Sequence, residues 1–161
     1  MATIKPIAGQ SWLKNVKDNF GTLSDAVGLG VLRVAQFTFD AGVVANRTIA
    51  AHGTGVILPA HAIVVGGFID VNTAFTSADG NAGTIAISVQ AANDIQTAAA
   101  VSGAPYSTIG RKAIIPKANT PESTSVKAST AKAITCTVAG QALTAGKLTG
   151  YLYYVEGIAS A

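Results

Sequence analysis

The sequence predicts an all-β protein: a single-domain β-sandwich, of jelly-roll type, with a short helical segment at its N-terminus. Three observations carry the prediction. From Gly30 onward, short apolar stretches recur at close spacing, broken by Gly, Pro, Asp or Asn, the pattern of a sandwich or barrel rather than of strand–helix–strand units. The chain is rich in Ala, Gly, Thr and Val, with 12% of its residues charged. It has no internal repeat that would build a propeller or solenoid, and its 161 residues suffice for one buried core.

The elements follow in order. Ser11 can cap a helix whose Trp12, Leu13, Val16 and Phe20 fall on one face at helical spacing, and Gly21 ends it. This segment, 1–30, reads either as a cover over an open end of the sandwich or as an arm that docks on a neighbouring subunit. The sandwich then spans 31–161. Residues 31–39 alternate as a strand with Phe37 and Phe39 on one face, and Asp40 to Gly42 form a turn. Short strands are expected over 43–49 and 55–58, followed by a turn at Pro59 to His61. The runs 63–71 and 84–90 read as a hairpin joined by the long loop 76–83. Residues 95–101 suit one or two turns of helix. Strands over 108–115, 125–128, 132–138 and 147–156 complete a set of about eight. Gly66 and Gly67, inside a strong strand, mark either a bend with a bulge or a contact point.

Composition narrows the function. Hydrophobic residues make up 49% and mean hydropathy is +0.42, which excludes a disordered chain. The charged fraction is about half that of an ordinary soluble domain, a composition prone to association and suited to an oligomer or to a subunit of a larger assembly. The net charge of +3 is spread thinly, with no basic run longer than Arg111-Lys112. No basic stripe interleaved with aromatics offers a nucleic-acid surface. No apolar run reaches membrane-spanning length and no signal peptide is visible, so no membrane partner is expected.

Little suggests chemistry. The single cysteine excludes an internal disulfide. Cys136 alternates in phase with Ile134 and Val138, as a small buried apolar residue does. His52 and His61 have no Cys, Asp or Glu at ligand spacing. The acidic residues are isolated, and Asp79-Gly-Asn81 lacks the ligand series of a calcium loop and reads as a turn. Gly28-Leu-Gly30 lacks the third glycine of a dinucleotide motif. No catalytic residue, metal or cofactor is expected, and the chain reads as non-enzymatic. Tyr151 and Tyr153 share one strand face opposite Leu152 and Tyr154, and tyrosine supplies contact area plus a hydroxyl at interfaces.

Three stretches carry a family resemblance: Val56-Ile-Leu-Pro-Ala-His-Ala-Ile-Val-Val-Gly-Gly-Phe-Ile-Asp-Val-Asn-Thr-Ala-Phe75, Gly83-Thr-Ile-Ala-Ile-Ser-Val89 and Ala142-Leu-Thr-Ala-Gly-Lys-Leu-Thr-Gly-Tyr-Leu-Tyr-Tyr-Val155. On these sheet-building patterns the chain resembles the capsid decoration, or cement, proteins of tailed double-stranded DNA bacteriophages. The resemblance implies a homotrimer on the capsid exterior at threefold and quasi-threefold positions. Its partners would be its sister subunits and the major capsid protein, and it would bridge capsomers by many modest contacts repeated by symmetry. It would be made in the host cytoplasm and end in the virion. On this reading Trp12, Leu13 and Val16 anchor the N-terminal segment, and Tyr151 and Tyr153 line a subunit contact. Two alternatives stand beside it: a tail, baseplate or fibre-associated β protein, and a carbohydrate-binding β-sandwich module, which the aromatic content of 6% disfavours.

Overall fold

In the computed structural model, the described residues are 31–116 and 125–157. The expected N-terminal helix, with Trp12, Leu13 and Val16, lies outside them. The sandwich belongs to the unit Leu32–Ala161. Among the described residues nine strands build it: β1 (Arg33–Asp40), β2 (Ala51–Leu58), β3 (Ala62–Ser77), β4 (Thr84–Ser88), β5 (Gln96–Ala100), β6 (Gly110–Ile114), β7 (Val126–Lys127), β8 (Lys132–Ala139) and β9 (Leu143–Glu156). One sheet runs β1-β9-β3-β6, with β7 also on β3; the other runs β2-β8-β4-β5. Every pair is antiparallel.

The pairing is nested. β1 pairs with β9, β2 with β8, β3 with β6 and β7, and β4 with β5. That is one long hairpin, tipped by the β4–β5 connection, whose paired arms fall alternately into the two sheets. The cross-pairs β9–β3 and β8–β4 lock the roll. This is jelly-roll order, as the sequence predicts.

Alternation supplies the core. Phe37 and Phe39 of β1, Ile69, Val71 and Phe75 of β3, and Leu148 and Leu152 of β9 face Ile85 and Ile87 of β4 and Ile134, Cys136 and Val138 of β8. Each fully buried large side chain contributes roughly 1.5–3 kcal/mol relative to exposure. Phe75 links the aromatics, stacked on Phe39 at 6.1 Å and edge-on to Tyr106 at 5.8 Å.

Tyr106 is fully buried, and its hydroxyl has no hydrogen-bond partner among the described residues. Burial, and then the neighbouring Cys136, push its pKa up. A buried hydroxyl without a partner costs desolvation and returns nothing. Tyr106→Phe should therefore leave stability unchanged or raise it by up to about 1 kcal/mol. A thermal melt reads the change, and a loss of more than about 1 kcal/mol would mean that the hydroxyl is satisfied in solution.

Three expectations are corrected. Residues 43–49 do not form a strand: Val44–Arg47 is a 3-10 turn, because the backbone carbonyl of Asp40 gathers Val43 N and Asn46 Nδ2 and curls the chain before it can pair. Residues 95–101 are not helical: Gln96–Ala100 is strand β5, where pairing with β4 overrides the helical preference of its alanines. The runs 63–71 and 84–90 do not pair with each other, since β3 and β4 lie in different sheets. β3 continues to Ser77, and the connection crosses between the layers there. A polar knot holds the crossing. Ser77 Oγ accepts from Gly83 N at 2.9 Å and donates to Gln141 at 3.2 Å, while Asn81 Oδ1 accepts from Ser77 N at 2.8 Å. Asp79 and Asn81 take positive φ there, so the Asp79-Gly-Asn81 segment is a turn.

Gly66 and Gly67 sit at a bulge. Val64 pairs with Tyr154 and Gly66 with Tyr153, so Val65 is an extra residue. The bulge reverses the alternation: Val64 points inward before it and Ile69 and Val71 after it. Gly67 lies so close to the carbonyl oxygen of Tyr151 that no side chain fits between the two strands.

Candidate functional site

The phase reversal at Val65 places Phe68 on the outer face of the β1-β9-β3-β6 sheet, and register assembles the rest. Gln36, Tyr151, Phe68 and Ala113 form one row across the four strands; Val34, Tyr153 and Gly66 form the next; Thr38, Thr149, Asp70 and Arg111 form a third. Residues opposite one another in neighbouring strands share a face. Phe68 and Tyr151 stack at 4.6 Å, Tyr153 meets Phe68 edge-on at 6.1 Å, and the Arg111 guanidinium lies 4.3 Å from the Phe68 ring centre. Tyr151, Phe68 and Arg111 thus form a stack across β9, β3 and β6. All three aromatics are half-exposed.

Apolar neighbours extend the cluster. Val34, Val65 and Ile115 are 54%, 46% and 65% exposed. Two ion pairs flank it on this face, Arg111 with Asp70 at 3.4 Å and Lys147 with Asp40 at 3.0 Å; a third, Arg33 with Glu156 at 3.3 Å, lies in phase with the inward residues at the end of the sheet. Such exposed pairs contribute little stability. An apolar, aromatic centre inside a charged rim is the anatomy of a protein interface, and Tyr, Arg and their aromatic neighbours are the side chains that dominate binding energy.

Of the residues singled out in the sequence, the structure brings Tyr151 and Tyr153 together on this face, with Leu152 buried behind them and Tyr154 packed against the core. Trp12, Leu13 and Val16 lie outside the described residues. Sequence reasoning missed Phe68, Val34 and Arg111. Phe68 carried a signal in the glycine pair beside it, which marks the bulge that turns its ring outward. Arg111 carried none, since only register places it over that ring.

A second feature is a shallow cleft of about 220 Å³ between the loop after β1 and the start of β9, whose lining includes Asp40, Arg47, Thr73, Ala145, Gly146 and Lys147. The Gly42 amide, and then Lys147, hold the Asp40 carboxyl below its ordinary range. Cys136 is fully buried, and burial pushes its thiol up to about 12, so it stays a neutral thiol at physiological pH and is a poor nucleophile. His52 contacts Thr48 O at 2.8 Å, and the His61 amide donates to Ala128 O at 2.8 Å. Among the described residues, no three His, Cys, Asp or Glu gather where they could hold a metal ion. No helix among them is long and apolar enough to cross a membrane.

No protein family and no curated protein matches the chain. Its fold is matched in three phage capsids. A chain in the acidic stable capsid structure of Helicobacter pylori bacteriophage KHP30 aligns over 81% of this chain and 90% of its own length, at 13% identity and a TM-score of 0.53. A chain in the capsid asymmetric unit of cyanophage Pam1 aligns over 80% and 86%, at 17% identity and a TM-score of 0.55. A chain in the capsid of Ralstonia phage GP4 aligns over 80% and 86%, at 17% identity and a TM-score of 0.50. What is shared at these identities is the fold.

Proposed function

We propose that this chain is a structural protein of a phage virion that binds the outside of the capsid as a homotrimer and ties adjacent capsomers together. It acts through surface contact, without chemistry. The likeness of its fold to chains of three phage capsids carries the reading. The low charge and the outer sheet face agree with it. Tyr151, Tyr153 and Phe68 line the contact between sister subunits, and Trp12, Leu13 and Val16 anchor the N-terminal segment on a capsid subunit or a sister subunit. The major capsid protein is the outside partner, and the virion exterior the final location.

Phe68→Glu puts a carboxylate into the centre of that contact. Light scattering should show a trimer for the natural chain and a monomer for the variant, with a comparable melting temperature, since Phe68 lies outside the core. A variant that remains trimeric removes this face from the subunit contact. Trp12→Ala tests the anchor by binding to capsids. Copy number separates the alternatives: a cement protein is present in hundreds per particle, a tail component in a handful.

A further inference from the structure

The outer row Val34, Tyr153 and Gly66 has a gap in it. Ile115 comes one residue after the Ile114–Gly67 pair and so stands at the end of the same row. Val34, Tyr153 and Ile115 carry large side chains, whereas Gly66 carries none. Apart from its chain neighbours, a Cβ at Gly66 would meet only the Tyr153 ring, 4.0 Å away. Gly67 is a glycine because the Tyr151 carbonyl leaves it no room. No such reason holds at Gly66, which has open space above it and no positive φ. A strand glycine weakens a sheet and often marks a place where another chain or ligand approaches.

The row also lies where the N-terminal segment joins the sandwich. Val31 and Leu32 are 71% and 57% exposed, and Leu32 is in phase with Val34, so the apolar face runs on toward that segment. Segment 1–30 lies outside the described residues, and its sequence carries what the gap lacks. Trp12 is the one tryptophan of the chain, and it shares a stripe at helical spacing with Leu13, Val16 and Phe20. The stretch 21–30, with Gly21, Gly28 and Gly30, reaches up to about 33 Å when extended. Two strand spacings, from β1 to β3, are only roughly 10 Å, so length does not confine Trp12 to its own subunit.

We infer that the gap at Gly66 receives the Trp12 indole of a sister subunit, so that subunits exchange their N-terminal segments. The inference rests on the subunit-contact reading above and names the surface that a sister brings to this face. An indole is a flat apolar body with one N–H. The rings of Tyr153 and Phe68 offer it aromatic contact, and the Tyr153 hydroxyl can accept from its N–H. A large aromatic anchor seated in a gap between apolar neighbours is the usual centre of a tight contact. Each subunit gives one segment and receives one. Such a head-to-tail contact closes into a ring in a trimer.

As the only tryptophan, Trp12 reports its own burial by fluorescence. In the natural trimer, with no capsid present, its emission should be blue-shifted. Gly66→Val fills the gap with a residue that suits a strand and leaves Phe68, Tyr151 and Tyr153 in place. Its circular dichroism should be unchanged, its self-association weakened on the order of tenfold or more, and its emission that of a solvated indole. Trp12→Ala has no tryptophan and an open gap. Titrated into Gly66→Val, it should draw the emission back to the blue, because the segment of one variant docks on the face of the other. Solvated emission in the natural trimer, or a Gly66→Val protein that associates as the natural chain does, overturns the inference. A titration without a shift overturns the exchange between subunits. Phe68→Glu keeps the two readings apart: if it is monomeric while Gly66→Val stays trimeric, the subunit contact stands and only the seat of Trp12 falls. A natural chain that is monomeric overturns both.

Discussion

Asp94→Ala should cost on the order of 3–5 kcal/mol of folding stability. Asp94 is 2% exposed and lies between β4 and β5. One carboxylate oxygen accepts from Val89 N at 2.8 Å; the other accepts from Gln90 N at 2.9 Å and Ala91 N at 2.8 Å. These bonds bend the chain out of β4 and return it so that Ile95 enters the core, where its amide meets Ile87 O at 3.1 Å. Ser88 Oγ adds a bond from Asn93 N at 2.9 Å. Hydrogen bonds to a charged acceptor contribute about 1.5–3 kcal/mol each, and a buried donor left without a partner costs about 1–3 kcal/mol. In the alanine variant the Val89 amide stays buried, while those of Gln90 and Ala91 are partly rehydrated, which places the sum below three full bonds. Asp94→Asn keeps one acceptor oxygen and should lie between the two. Urea denaturation of the three proteins measures the order; a loss under about 1 kcal/mol for Asp94→Ala would mean that other contacts hold the loop.

Asp94 also shows where reading the sequence stops. An isolated aspartate in a polar stretch looks like any loop residue, and only the return of the chain under it makes it structural. The strands were legible where alternation is unbroken, as in β1, β8 and β9, and jelly-roll packing follows from their number and spacing. They were not legible where tertiary pairing overrides local preference. The alanines of 96–100 favour helix in isolation, yet they complete the edge of a sheet because β4 offers them a ladder. The candidate site was half visible. Tyr151 and Tyr153 follow from alternation within β9. Phe68 does not follow from alternation along β3: a strict two-residue period counted from the inward Val64 would bury Phe68 and Asp70 and expose Ile69 and Val71. One extra residue at Val65 reverses all four.

Gly150→Ala should destabilise the fold by about 2–3 kcal/mol, and Phe37→Leu should relieve much of that loss. Gly150 occupies an inward position of β9 between the buried Leu148 and Leu152, where a side chain would be expected. It pairs directly with Phe37 of β1, and the Phe37 ring fills the space that a Cβ on Gly150 would need. The ring is 2% exposed and closely surrounded, so it cannot swing aside without strain in its neighbours. The glycine therefore leaves room for the Phe37 ring over β9, an inner strand of the sheet. Phe37→Leu alone opens a void and should lose stability for that reason. In the double variant the new methyl group partly fills the void, so the combined loss should be smaller than the sum of the two single losses by about 1 kcal/mol or more. Denaturant titrations of the four proteins in the cycle give that coupling. Additive losses would show that Gly150 is required by its own backbone rather than by the ring above it.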